Sequence, residues 1–134
     1  MFFKRKPKKL IYIFEDSKSY QILLRIMLEK RGYKIKIFEC ASLAIDQLKK
    51  DQPSLVLSDI NMPNSNGLDF CLTFNSEISD KFIPFIFIST DDSYENQRKA
   101  LMLSNHKLLK KPFDPKHILK AVDEVINPNK LMLN

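Results

Sequence analysis

The 134-residue sequence predicts one doubly wound α/β domain, a (βα)5 unit with a parallel sheet in the order 2-1-3-4-5, and three observations predict it. Short apolar runs alternate with segments of helical period along the whole chain. The runs Leu10–Phe14, Leu55–Leu57 and Phe85–Ile88 are continuous, as strands covered on both faces require, whereas Lys34-Ile35-Lys36-Ile37 alternates and reads as an edge strand. Each run ends in polar residues: Glu15-Asp16, Asp59, Ser89-Thr90, and Lys110-Lys111 after Leu108-Leu109. Parallel strands with right-handed crossovers bring those ends to one side of the sheet, where open α/β folds bind ligands.

After the first strand, Tyr20, Leu23, Leu24, Met27 and Leu28 recur at helical spacing, and Gly32 closes that helix. Ala41, Ala44, Ile45 and Leu48 mark a second helix, broken at Lys49-Lys50-Asp51-Gln52-Pro53. The Asp59 strand leads into a polar loop, 63–67, and a short helix from about Leu68 to Glu77. Pro84–Ile88 is a buried strand, and the Phe-rich stretch Phe82 to Phe87 is expected in the core. Ser93 to Leu103 carries a weak apolar stripe and is expected to be the most exposed helix. Lys107–Lys110 is the last strand. Asp114-Pro115 then supplies an N-cap and a first-turn proline to a helix buried through Ile118, Ala121, Val122, Val125 and Ile126.

Length allows one domain with a real core, and 44% hydrophobic residues exclude disorder. No apolar run approaches the roughly 20 residues of a membrane span, and no signal-peptide core precedes Glu15, so a cytoplasmic location is expected. Of the net charge of +6, five units come from Lys4, Arg5, Lys6, Lys8 and Lys9, leaving about +1 for residues 10–134. Residues 1–9 are therefore read as a basic tail, 10–127 as the domain and 128–134 as a C-terminal tail, with no nucleic-acid or membrane binding. Cys40 and Cys71 lack metal-ligand spacing and are expected as reduced thiols. His106 and His117 stand alone and read as surface residues, Met62 as packing, and Gly67 as a backbone or close-packing requirement.

Glu15, Asp16 and Asp59 brought to one sheet end repel one another and require a cation. Carboxylate oxygens favour a hard divalent ion, and Mg2+ suits a site that also receives phosphate. Ser89 and Lys111 supply a hydroxyl and an amine for anionic oxygens. The set makes sense around a phosphoryl group on Asp59, because phosphoryl transfer needs positioning and charge neutralisation.

From residue 9 to 127 the chain resembles the receiver domain of bacterial two-component response regulators, a flavodoxin-like fold of the chemotaxis-regulator superfamily. The resemblance rests on Phe14-Glu15-Asp16, Ser58-Asp59-Ile60-Asn61-Met62-Pro63 with Gly67, Pro84 to Ser89, and Lys111-Pro112-Phe113, in that order. It implies that Asp59 accepts a phosphoryl group from a sensor histidine kinase or phosphotransfer protein. It also implies Mg2+ bound by Asp16 and Asp59, by the Asn61 backbone carbonyl, and by Glu15 through a water. Lys111, before a cis proline, would pair with the phosphoryl group and Ser89 would hydrogen-bond it. Output would come from a downstream protein partner bound through the last two helices, by a monomer or weak dimer. Such a module is a phosphoacceptor with its own Mg-dependent labelling and hydrolysis chemistry, not a turnover enzyme. Four residues depart from the family pattern: Leu108 for an aromatic, Thr90 for Ala or Gly, and Ser104-Asn105 for Gly-Ala. Thr90 is expected to narrow the approach to Asp59, and Leu108 to damp or reroute the switch.

Other readings stay open from sequence. An alternative is that the chain is the receiver piece of a hybrid kinase or multidomain regulator. A Mg-dependent phosphatase with an aspartyl nucleophile would want an acid where Asn61 stands, and a cap domain. A flavin binder would want a Gly/Ser/Thr-rich loop after the first strand, where Glu15-Asp16-Ser17-Lys18 is acidic.

Overall fold

The computed structural model describes residues 7–63, 65–104 and 106–128. Most of the basic tail, Asn64, Asn105 and residues 129–134 lie outside the described residues. Five strands and five helices alternate: β1 (Leu10–Phe14), α1 (Lys18–Lys30), β2 (Lys34–Phe38), α2 (Ala44–Leu48), β3 (Leu55–Asp59), α3 (Gly67–Thr73), β4 (Phe85–Ser89), α4 (Tyr94–Ser104), β5 (Leu109–Lys110) and α5 (Pro115–Ile126). All pairings of the five-stranded sheet are parallel, and its order β2-β1-β3-β4-β5 is the expected one, with β2 at an edge. A two-residue antiparallel ribbon, Asn61–Met62 with Ser65–Asn66, connects β3 to α3.

Every residue of β1, β3 and β4 is buried, while β2 is exposed at Lys34 and only partly covered beyond Ile35. Side chains alternate between sheet faces, and the sequence uses the alternation to separate two kinds of core. Tyr12, Phe14, Phe85 and Phe87 face α2, α3 and α4, where they meet Leu48, Phe74 and Ala100. Ile11, Ile13, Ile86 and Ile88 face α1 and α5 and meet Leu24, Leu28, Ile118 and Val122. The aromatic side is organised by edge-to-face pairs; Phe74 sits 5.5 Å from both Phe70 and Phe85.

Local chemistry sets the helix ends. Ser17 Oγ accepts the Tyr20 N–H at the start of α1, and Gly32, just past Arg31, closes it with φ +102°. Asp114 caps α5 through the Lys116 N–H, with Pro115 in the first turn. The Lys111–Pro112 bond is cis.

Expectations at five apolar positions need correction. Leu23 and Ile45 face solvent, because α1 buries Gln21, Leu24 and Leu28 and α2 buries only Ala44 and Leu48. Phe82 is 73% exposed, since it precedes β4 in the connection from α3. There Asn75 mimics a strand neighbour, its amide pairing with both backbone groups of Ile83. Val125 and Ile126 are half-buried at the α5 rim. The last strand is Leu109–Lys110 and not Lys107–Lys110. The helix 68–77 appears as α3 continued by a π turn, Phe74–Ile78, and α4 buries Ala100 alone. Cys40 is half-buried, Cys71 buried, and both are free thiols.

Gly67 is required by close approach. A Cβ there would press into the Asp59 carbonyl oxygen and lie 3.0 Å from Ser58 Oγ and 3.1 Å from Ile60 Cα. Gly32 has open space around it and needs only its positive φ. Gly67→Ala is therefore expected to lower unfolding free energy by about 3 kcal/mol, near the upper end of overpacking costs, against about 1 kcal/mol for Gly32→Ala. Urea denaturation of both variants measures the difference.

Candidate functional site

The parallel register brings four strand ends together. Phe14 pairs with Ser58, Asp59 with Ile88, and Ser89 with Lys110, so Glu15-Asp16, Asp59, Ser89 and Lys111 emerge along one edge. Carboxylate oxygens of Glu15, Asp16 and Asp59 lie within 4.8 Å of one another. Glu15 and Asp59 are buried, and Asp16 forms the exposed rim.

Lys111 crosses this hollow from the β5 side. Its Nζ donates to Asp59 Oδ2 at 2.7 Å and also to Glu15 Oε2. Each acid has a second partner on its other oxygen: the Ser17 N–H donates to Glu15 Oε1 at 3.0 Å, and the Asn61 N–H to Asp59 Oδ1 at 3.0 Å. Burial pulls the Lys111 pKa down, but its hydrogen bonds to Asp59 and Glu15 and their charges outweigh that and hold it above the usual lysine value. The ammonium is therefore charged at neutral pH. Burial pushes the Glu15 carboxyl up, against the opposing pull of Lys111 and the Ser17 N–H.

One ammonium faces three carboxylates, an excess of negative charge that burial makes costly. The donors are all oxygens, and one lies on an exposed rim open to hydrated ions. That chemistry fits a hard divalent cation such as Mg2+.

Ser89 is buried, its Oγ accepting the Asp91 N–H at 3.0 Å, on the strand that pairs with β3. Asn61 is exposed immediately beyond Asp59, and Thr90 is exposed immediately beyond Ser89. Leu108 is 9% exposed and belongs to the core on the α2, α3 and α4 side. Met62 is core, and His106 and His117 line the α4–β5–α5 groove.

Two site residues escaped the sequence reading. The Tyr20 ring centroid lies 4.3 Å from Lys111 Nζ, and Gln21 Nε2 donates to the Glu15 carbonyl at 2.6 Å. Tyr20 fitted the apolar stripe of α1 and so read as core. The available signal was position: both residues fall in the first turn after an acid pair.

This arrangement defines a doubly wound α/β domain carrying an acidic hollow with an opposed lysine. Residues 11–123 match the model of the response regulator receiver domain, and the chain belongs to that family, whose members act in two-component systems. The protein PilH of Pseudomonas aeruginosa is 28% identical over 116 residues, covering 87% of this chain and 96% of PilH. The nisin biosynthesis regulatory protein NisR of Lactococcus lactis is 30% identical over 84% of this chain, which spans 48% of NisR. Histidine kinase P4 of Formosa agariphila is 26% identical over 90% of the chain, which spans 9% of that kinase. The chain thus spans about half or less of several of the curated relatives it matches. Among solved structures, the chemotaxis protein CheY4 of Vibrio cholerae superposes with a TM-score of 0.79 at 24% identity, covering 89% of this chain and 99% of that one.

Removing the ammonium leaves two buried carboxylates without their counter-charge. Lys111→Met is expected to cost about 3 kcal/mol at pH 7. In that variant the Glu15 pKa, already raised by burial, loses its largest opposing influence, so the folded form holds the proton more tightly than the unfolded chain. Stability of the variant relative to wild type is then greatest below the ordinary carboxylate range and falls as pH rises through the shifted value. Urea unfolding of both proteins from pH 4 to pH 7 checks the sign.

Proposed function

We propose that this chain is a phosphorylation-switched receiver that accepts a phosphoryl group on Asp59 from a histidine kinase or phosphotransfer protein. The observation that carries the reading is the Lys111 ammonium spanning Asp59 and Glu15 beside the exposed Asp16 carboxylate. An Asp59 carboxylate oxygen attacks the phosphorus of the donor phosphohistidine. The P–O bond forms as the P–N bond breaks, and the electron pair returns to the imidazole nitrogen, which takes a proton from water.

Asp16 and Asp59 would hold Mg2+ through their carboxylates, Asn61 through its backbone carbonyl, and Glu15 through a water. A water-mediated role suits Glu15, since both its oxygens already accept hydrogen bonds. The ion supplies neutralisation of charge on the phosphoryl oxygens. Lys111 neutralises the other side, and the Ser89 hydroxyl, whose oxygen accepts the Asp91 N–H, has its hydrogen to donate to a phosphoryl oxygen. The protein is a phosphoacceptor and turns over no separate substrate.

Output follows from different partner affinities of the two phosphorylation states. An open groove between α4, β5 and α5, lined by Tyr94, Leu101, Leu108, Lys107, Lys110 and Lys120, supports a protein partner on that face. Leu108 is aliphatic and packed, so the conformational signal would pass by movement of β5 and α4 and not by a rotating ring. The described helices include none long and apolar enough to cross a membrane. The same chemistry would serve within a longer protein, a second reading favoured by the 9% span of histidine kinase P4. An aspartyl phosphatase is disfavoured by Asn61 in place of a second acid.

Purified protein incubated with Mg2+ and a candidate histidine kinase with radiolabelled ATP is expected to take up one phosphoryl group per chain. Asp59→Asn removes the label, EDTA prevents it, and Thr90→Ala accelerates it several-fold. Stoichiometric labelling of Asp59→Asn would overturn the site assignment.

A further inference from the structure

The ammonium of Lys111 carries three hydrogens, and two carboxylates account for two directions around it. Another side is taken by the Tyr20 ring, whose centroid is 4.3 Å from Nζ. At that distance the negative face of the ring attracts a cation. The lysine side chain is 4% exposed, so little water screens the contact.

Tyr20 is itself fixed at both ends. Its backbone N–H donates to Ser17 Oγ at 3.5 Å in the first turn of α1. Its ring packs 5.5 Å from the ring of Phe113, two residues beyond Lys111. The same turn supplies Gln21 to the Glu15 carbonyl and the Ser17 N–H to the Glu15 carboxylate. One turn of helix therefore touches both Glu15 and the ammonium that faces it.

A lysine has a flexible four-carbon stem and orients poorly by itself. Transfer to Asp59 requires the ammonium to follow negative charge from the carboxylate to the phosphoryl oxygens. A ring face attracts the cation at many positions across it and offers no competing carboxylate. An aliphatic side chain would fill the same space without that attraction.

We propose that Tyr20 is a positioning residue of the phosphoryl site, its ring holding the Lys111 ammonium toward Asp59 and shielding it from water on the α1 side. The inference rests on Asp59 being the phosphoacceptor. It predicts that the aromatic ring, and neither the hydroxyl nor mere bulk, sets the speed of acceptance and the lifetime of the acyl phosphate.

The test compares wild type with Tyr20→Phe, Tyr20→Leu and Tyr20→Met. Each 134-residue chain is given Mg2+ and acetyl phosphate, and the Asp59 acyl phosphate is followed by intact-mass spectrometry. NMR of the Lys111 ε-methylene reads the contact directly, because a ring face shifts those protons upfield. The shift is expected in wild type and Tyr20→Phe and lost in the Leu and Met variants. Those two are expected to accept about tenfold more slowly, the scale of a desolvated cation–π contact, and to lose the phosphoryl group several-fold faster, with Tyr20→Phe recovering both rates. Wild-type rates in a folded Leu or Met variant overturn the proposal, as does an unshifted ε-methylene in wild type. Should wild type take no label on Asp59 while the NMR shift is present, the phosphoacceptor reading fails and carries the proposal with it. Labelled wild type with unaffected aliphatic variants sinks the Tyr20 role alone.

Discussion

The buried contact of Lys111 with Asp59 and Glu15 is the interaction on which the rest of this structure depends. Two carboxylates and an ammonium taken out of water cost several kcal/mol each before their mutual attraction offsets it. That attraction succeeds only when every remaining lone pair has a partner. Here the Ser17 and Asn61 amides meet the outer oxygens, and the Tyr20 ring covers the cation. The third acid, Asp16, stays at the rim, where hydration lowers the cost of its charge.

Such a centre needs a frame that holds four chain segments in register, and the parallel sheet provides it. β1, β3 and β4 are buried on both faces, and their pairings align Phe14, Ser58 and Phe87 across the centre of the sheet. The separation of aromatic from aliphatic side chains gives each face its own packing solution. Edge-to-face aromatic pairs and interlocked Ile and Leu side chains each favour one strand register, because a one-residue slip would put rings where methyl groups belong. Gly67 adds a local restriction by letting α3 start directly against the Asp59 carbonyl.

The α1 and α5 layer is anchored at both ends. Beside the site, α1 contributes its cap, Tyr20 and Gln21. At the far end Asp123 of α5 accepts from the Tyr33 hydroxyl at 2.6 Å and from Arg31 at 2.5 Å. The opposite face is looser: α2 is five residues long and α4 buries only Ala100. The groove proposed for output borders that face through α4 and the anchored layer through α5.

The order of elements, the edge position of β2 and the acids, hydroxyl and lysine at strand ends were legible in the sequence, because backbone periodicity and local caps are short-range properties. Leu23, Ile45 and Phe82 were misread, since hydrophobic spacing says which residues share a face and not how far a partner element extends over it. Tyr20 was legible only as apolar. That its ring meets a cation 91 positions along the chain was decided by tertiary structure, through the strand register and the closure of α1 against the Lys111 turn. The sequence by itself determined which groups reach the sheet end, because strands place their last residues there whatever surrounds them. Their distances, burial and shared hydrogen bonds arose only when four distant segments packed, because electrostatic energy depends on separation and solvent exclusion that no local pattern encodes.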